Sequence, residues 1–293
     1  MNNHQLIPAV NFHLWEPCNM RCKFCFATFQ DVKQSILPKG HLPKSQAIEV
    51  VIRLAEIGFE KITFAGGEPT LCPWLPELIS TAKQAGLTTM IVSNGSKLSD
   101  SFLEANRQHL DWIALSIDSL NVETNIATGR ALLGKEPLQL NYYTSLVDRI
   151  KQHGYGFKIN TVVNSKNYLE NMSEFIRYAK PERWKLFQVL PIKGQNDLTI
   201  DEFKISDEHF QHFIQMHKGL LDITSILPEN NHEMTGSYAM VDPAGRFFDN
   251  TKGGHTYSLP ILEIGASLAL RQMNYDFSRF VSRGGIYNWI RIN

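Results

Sequence analysis

The run Cys18-Asn19-Met20-Arg21-Cys22-Lys23-Phe24-Cys25 decides the fold, because it follows directly on a strand-like segment, Ala9–Trp15. In that segment Val10, Phe12 and Leu14 alternate with Asn11 and His13, the period-two pattern of a strand with unlike faces. The spacing C-x3-C-x2-C then places three thiols on one tight loop at the strand's end. Thiolates are the usual ligands of iron–sulfur clusters. Three of them, Cys18, Cys22 and Cys25, can hold three irons of a cubane and leave the fourth open to a small molecule. A zinc knuckle completed by Cys72 or His13 is the alternative. Zinc motifs usually come as two C-x2-C halves, and the chain has no second half.

Working outward, strand-like and helix-like runs alternate. Strands are expected over 61–65, 88–93, 112–118, 156–163 and 184–190, with helices over 45–57, 75–84, 100–108, 138–151 and 169–179. Ser45 reads as an N-cap, and Gly58 and Gly86 as stops. This alternation predicts an α/β fold with parallel strands and right-handed crossovers. Six units suit a partial (βα)6 barrel of the TIM type, whose functional loops follow the strands; a doubly wound open sheet satisfies the same pattern. Beyond residue 190 the rhythm breaks into a Gly/Asn/Asp loop, a helix over 207–218 and an irregular tail. Residues 1–190 therefore read as the barrel core, and 191–293 as an extension of the same domain closing over the active site.

The 293 residues are 43% hydrophobic, enough for a sizeable core. Lys plus Arg and Asp plus Glu are 29 each, so no global field attracts nucleic acid. An anionic substrate must be gripped by a local pocket. The first ten residues lack the pattern of a signal peptide, and no run approaches the roughly 20 apolar residues of a membrane span. Three of the four cysteines within eight residues point to a metal site in a reducing compartment, so a cytoplasmic protein is expected.

Helices cover the outside of such a barrel, so the polar strand faces should point inward: Asn11 and His13, Ser116 and Asp118, Lys158 and Asn160, Arg183 and Lys185. Buried charges need partners. Lys158, Arg183 and Lys185, with Lys61 at the start of the second strand, therefore want a polyanion, and phosphate suits them. Pairing with local acids at the rim is the other outcome. Gly66-Gly67-Glu68-Pro69 follows the second strand, where paired glycines let a backbone approach a ligand closely.

The cysteine motif after strand one resembles the signature of the radical S-adenosylmethionine (SAM) superfamily. That resemblance implies a [4Fe-4S] cluster, with the SAM amino and carboxylate groups on the open iron. One electron, from a donor such as a flavodoxin or ferredoxin, would cleave SAM to a 5′-deoxyadenosyl radical. It also implies that Gly66, Gly67 and Glu68 contact the SAM amino group. Ser93, Asn94 and Ser116 would lie near its ribose and amino-acid ends, with Arg130 as a carboxylate partner.

Within the superfamily, Phe157-Lys158-Ile159-Asn160 and Arg183-Trp184-Lys185-Leu186-Phe187-Gln188 are similar to the viperin family of antiviral nucleotide dehydratases. So are the segments 228–238, Gly253-Gly254 and Arg283-Gly284-Gly285, and the match runs in register from Asn11 to Gly285. This resemblance implies dehydration of a ribonucleoside triphosphate to its 3′-deoxy-3′,4′-didehydro analogue, a terminator of viral polymerases. Asn11 and Asn160 would hold the ribose region and Lys61, Lys158, Arg183 and Lys185 the triphosphate. Tyr238 would deliver a hydrogen in the final reduction. The chain starts almost at strand one, where animal members carry a membrane-binding helix, so neither membrane nor nucleic acid is expected as a partner. Two departures affect the guess about the base: Ala65 replaces the family's usual Ser, and the loop 30–44 is long. Peptide modifiers and GTP cyclases of the superfamily are the rival readings; they usually carry a further cysteine cluster, and no cysteine follows Cys72.

Overall fold

The computed structural model describes residues 5–291. The first four residues, part of the segment read as lacking a leader, lie outside it. Six parallel strands form the core: β1 (Ala9–Trp15), β2 (Lys61–Gly66), β3 (Thr88–Ser93), β4 (Trp112–Ser116), β5 (Gly156–Val163) and β6 (Arg183–Gln188). The crossovers carry α1 (Lys44–Glu56), α2 (Leu75–Gln84), α3 (Asp100–Asn106), α4 (Val122–Thr128), α5 (Leu140–Gln152) and α6 (Ser173–Ala179). The apolar faces pack outward as expected: Val10, Phe12, Leu14, Ile113, Leu115, Ile159, Trp184 and Leu186 are buried in one core with Val50, Leu54, Leu78, Leu146 and Ile176 of the helices. The sheet curves without closing, so the partial barrel is the form adopted.

The local details differ in instructive ways. Ser45 is not a cap: α1 starts at Lys44 after Pro43, whose fixed φ suits a helix entrance. The helix expected over 169–179 begins only at Ser173. Strand four stops at Ser116, because the Asp118 side chain rather than the next ladder step accepts the Val162 amide.

The tail is far from irregular. After α7 (Asp207–His217), β7 (Ser225–Glu229) adds in parallel to β6. The one-turn α8 (Asn231–Met234) then leads across to β8 (Ala239–Val241), which pairs in parallel with β1 at the opposite edge, and antiparallel β9 (Arg246–Asp249) and β10 (Thr256–Pro260) extend it. The full order is β10-β9-β8-β1-β2-β3-β4-β5-β6-β7. The helices α9 (Ile261–Ile264), α10 (Ala266–Leu270) and α11 (Phe277–Ser282) follow. Both edges of the six-strand core are thus flanked by the last third of the chain. No helix among the described residues is long and apolar enough to cross a membrane.

Candidate active site

A cavity of about 720 Å³ opens at the carboxyl ends of the strands. Cys18, Cys22 and Cys25 line it, together with Asn11, Gly66, Gly67, Glu68, Asn94, Ser116, Arg130, Asn160 and Tyr238. The sequence reading therefore gathers most of its candidates in one place. Burial raises the three thiols to about 11, with the Arg130 charge working against it. Among the described residues no three His, Cys, Asp or Glu side chains converge as ligands of a single ion would. Cys72 packs in the apolar core instead, away from the cavity.

The loop bearing the cysteines is held by backbone contacts that only glycine permits. A Cβ on Gly67 would lie 2.2 Å from the Glu16 carbonyl, and one on Gly129 would lie 2.0 Å from that of Arg21. Gly67 also donates its amide to the Trp15 carbonyl at 2.5 Å. The glycines therefore clear room for the chain entering the cysteine loop, a role the ligand-approach reading did not foresee. Gln195 makes a second clamp: its Oε1 accepts from the Thr28 amide, the Thr28 hydroxyl and the Phe29 amide at 2.8–2.9 Å. Gln195→Leu strands these donors, and leaving buried donors unpaired costs about 1–3 kcal/mol each at most. A fall in the urea midpoint of the purified protein is the expected result; an unchanged midpoint would show that the clamp carries no stability.

Glu68 is buried and fully engaged. Its carboxylate accepts from the Thr70 amide and hydroxyl, the Ser93 hydroxyl at 2.8 Å and the Asn94 amide at 2.7 Å. Burial raises its pKa, and these bonds oppose the rise. Ser93 does not line the cavity; it orients Glu68. Arg130, expected as a carboxylate partner for SAM, is largely buried. It is 12% exposed and paired with Asp118, whose charge keeps the guanidinium protonated against the cost of burial. Asp118 was foreseen only as an inward polar residue; its place as the anchor of Arg130 comes from the fold.

Lys61, Lys158, Arg183 and Lys185 form a second cluster beneath the cavity. Lys158 lies two residues before Asn160 on the same strand face, about 7 Å deeper at the rise of a strand. In register it neighbours Arg183, and Asn160 neighbours Lys185. Arg283 joins the group from the tail. Burial first, then mutual repulsion, lowers Lys61 to about 7 and holds Lys158 well below the ordinary lysine value; burial also lowers Lys185, to about 8, although Glu229 pulls it up. Glu229 bonds to Lys185, Arg283 and Tyr238. Burial pushes its carboxyl up, but Lys185 and Arg283 outweigh that and hold it below the usual range. The expectation of local acids is thus met for Lys185. Lys158 and Arg183 face the tail's Tyr287 ring, at 3.9 and 4.0 Å from its centroid.

Tyr238 joins the two regions. It lines the cavity, donates its hydroxyl to Glu229 and accepts from Lys185 Nζ at 3.1 Å, under the Arg283 guanidinium. Burial keeps the phenol protonated. Glu229, Arg283 and Tyr287 were not singled out as site residues, and His13 only as an inward polar residue and an alternative zinc ligand; only the tertiary structure brings the first three together. His13 Nδ1, Thr63 Oγ1 and Asn160 Oδ1, on residues lining the cavity, are buried and find no hydrogen-bond partner among the described residues. Buried polar atoms ordinarily find one. A thiol triad at the rim, a glycine-shaped loop and orphaned polar atoms in the wall together fit an iron–sulfur cluster with a polar organic ligand beside it.

The comparisons with known proteins agree. The model of the radical SAM superfamily matches residues 15–203. An S-adenosylmethionine-dependent nucleotide dehydratase of Lacinutrix mariniflava is 65% identical over 97% of this chain, which spans 59% of that protein's length. One of Flammeovirga pacifica is 54% identical over 99% of this chain and 98% of its own. The structure of Streptococcus suis SuiB bound to S-adenosylmethionine shares the fold at a TM-score of 0.67, with 15% identity, over 94% of this chain and 67% of that one.

Proposed function

The chain belongs to the radical SAM superfamily and, within it, to the S-adenosylmethionine-dependent nucleotide dehydratases; on that premise we propose that it removes water from a ribonucleoside triphosphate to give the 3′-deoxy-3′,4′-didehydro nucleotide. Such a product lacks the 3′-hydroxyl a polymerase extends, which makes it a terminator directed against viral replication. The observation that carries this reading is the stacking of two unlike sites. A thiol-rimmed cavity lies over a group of five basic side chains, Lys61, Lys158 and Arg283 buried and Arg183 and Lys185 partly so, with Glu229 in contact with two of them.

Cys18, Cys22 and Cys25 would hold the [4Fe-4S] cluster, and Gly66, Gly67, Asn94, Ser116 and Arg130 would border S-adenosylmethionine. The bound pair supplies a carbon radical able to take hydrogen from an unactivated C–H bond. The chain's own residues do the rest. Lys61, Lys158, Arg183 and Lys185 take the triphosphate, matching its charge with forked and point-charge donors. Asn11 and Asn160 border the ribose, fixing which hydrogen faces the cavity. Ser93 holds Glu68 in its orientation. Tyr238 carries its proton on Oη between Glu229 and Lys185, and would deliver a hydrogen in the final reduction. The extension 191–293 closes over the site and excludes water. An external protein supplies the electrons.

The test is anaerobic reconstitution with iron and sulfide, then addition of S-adenosylmethionine, dithionite and each ribonucleoside triphosphate in turn. The expected result is 5′-deoxyadenosine together with one nucleotide lighter by the mass of water. Deoxyadenosine without a dehydrated nucleotide from every triphosphate would overturn the substrate assignment.

A further inference from the structure

Glu229 divides its two carboxylate oxygens between two unlike partners. Oε1 pairs with Lys185 and with Arg283, the latter at 3.2 Å. Oε2 accepts from the Tyr238 hydroxyl. The side chain stands at the end of β7, opposite Phe187 of β6, and is fully buried. Glu229 does not line the cavity, whereas Tyr238 does. A proton held on Glu229 therefore reaches the cavity through Tyr238 Oη.

The charged partners of Glu229 are all basic. Lys185 comes from β6 and Arg283 from the segment after α11, with Lys61, Lys158 and Arg183 in the same cluster. Among the described residues Glu229 is the only acid in an ion pair with any of the five. Arg283 is also tied down elsewhere. Its Nε and Nη2 donate to the Ser237 carbonyl at 3.2 and 2.8 Å, which leaves Nη1 as the arm that holds Glu229. A triphosphate recruits Lys185 and Arg283 through the same donors that hold Oε1. Each donor turned towards phosphate is lost to Glu229, which is left as a buried anion beside a second anion. Burial already pushes this carboxyl up, and the two ion pairs hold it down. Weakening them while a like charge arrives favours the protonated acid. Protonation also turns Glu229 from an acceptor into a donor towards Tyr238.

We propose that Glu229 takes up a proton as the triphosphate binds and feeds it through Tyr238 to the hydroxyl that leaves the ribose. The inference rests on the dehydratase reading. In that reaction the C4′ radical, one electron and one proton give the C3′=C4′ bond and water, as the C3′–O bond breaks. An external reductant supplies the electron. Tyr238 gives up its proton and recovers one from Glu229, so the hydrogen it delivers is a proton from Glu229 and an electron from outside. Glu229 ends as a carboxylate and pairs again with Lys185 and Arg283 once the product leaves. Substrate binding thus loads the acid before the radical forms.

The probe is inorganic tripolyphosphate, titrated calorimetrically into the reconstituted full-length enzyme in buffers of different ionisation enthalpy. At about pH 6 Lys61 and Lys185, at about 7 and 8, are already charged. The parent should take up about one proton more than Glu229→Gln, which keeps the side chain's size but cannot ionise. In single turnover with S-adenosylmethionine, dithionite and each ribonucleoside triphosphate, dehydrated nucleotide formed per deoxyadenosine should fall about 100-fold in that variant, the lower end of what a placed proton donor contributes. A carboxylate that only anchored Lys185 and Arg283 would weaken tripolyphosphate binding and leave the proton count and the product ratio parental; that outcome overturns the proposal. Tyr238→Phe cuts the route at its other link and spares the ion pairs, so proton uptake should persist while the ratio falls. A parental ratio there overturns the route, even should Glu229→Gln fail to fold. Deoxyadenosine without dehydrated nucleotide in the parent would instead strike the dehydratase reading, and the tripolyphosphate proton count would still decide whether Glu229 loads.

Discussion

Cys22→Ala leaves a folded protein that no longer cleaves S-adenosylmethionine. The fold survives because the loop is held by main chain: the amides of Arg21 and Lys23 bond to Gly129 and Thr128, and Cys25 donates to the Cys22 carbonyl at 3.2 Å, all independent of the thiol. The lost sulfur packs at the edge of a small apolar patch with Phe24, Val189, Ile200 and Phe203, so the packing cost is about 1 kcal/mol. The chemical cost is of another order. Losing a group that merely supports a metal ligand costs 10–100-fold, so removing one of three ligands should cost more than about 100-fold in deoxyadenosine formation. Iron and sulfide content after reconstitution should collapse with it. Cys72→Ala should do the reverse: Cys72 lies in the core beside Leu75 and Leu78, so stability falls while cleavage persists. A Cys22 variant that still produced deoxyadenosine would remove the cluster from this loop.

How far the chain could be read depended on whether a feature was local. β1, β3 and β5 were legible to the residue, because each alternates over six to eight positions between a helix-covered face and a cavity face. The cysteines, Glu68, Asn160 and Lys158 were legible for the same reason: each is fixed by its strand or by the loop that follows. α4 was missed. It is seven residues long, and Val122 and Ile126 point into water, so no apolar stripe marks it; only the Asn121 cap and Gly129 at its end bound it. β8 and β9 have three and four residues, too few for a period, and β8 exists because Val10, Asn11 and Phe12 offer an open edge more than 220 positions earlier. Glu229 carries no local sign that it will meet Lys185, Arg283 and Tyr238. Ser93, expected near the ribose and amino-acid ends of SAM, bonds to Glu68 and does not line the cavity, a distinction of one hydrogen bond that periodicity does not encode.

Lys158→Met should move stability and function in opposite directions. Lys158 is 3% exposed, and its ammonium bonds to the Tyr287 hydroxyl between the Tyr287 and Trp112 rings, with Lys61, Arg183, Lys185 and Arg283 nearby. Before ligand binds this is a buried basic group among like charges, and among the described residues no carboxylate pairs with it. Methionine keeps the length and apolar character of the stem while deleting the charge, so the ligand-free variant should resist urea better than the parent, as replacing buried charges by well-packed apolar groups often does. With a triphosphate the balance reverses. A hydrogen bond to a charged group contributes about 1.5–3 kcal/mol, so KM for nucleotide should rise about 10–150-fold while the affinity for S-adenosylmethionine stays put. The parent should show the same conflict in its pH dependence. Lys61 and Lys185 titrate near 7 and 8 when folded and at 10.5 in the reference state, so the unfolded chain binds more protons across that window. Stability of the empty protein therefore rises with pH from about 7 towards 10.5. Nucleotide binding has the opposite slope: it needs these ammonium groups charged, takes up protons, and weakens as pH climbs through 7 to 8. Calorimetric heats compared in buffers of different ionisation enthalpy would reveal that uptake. Proton-neutral binding, or a methionine variant that lost S-adenosylmethionine and nucleotide equally, would take the triphosphate away from this cluster.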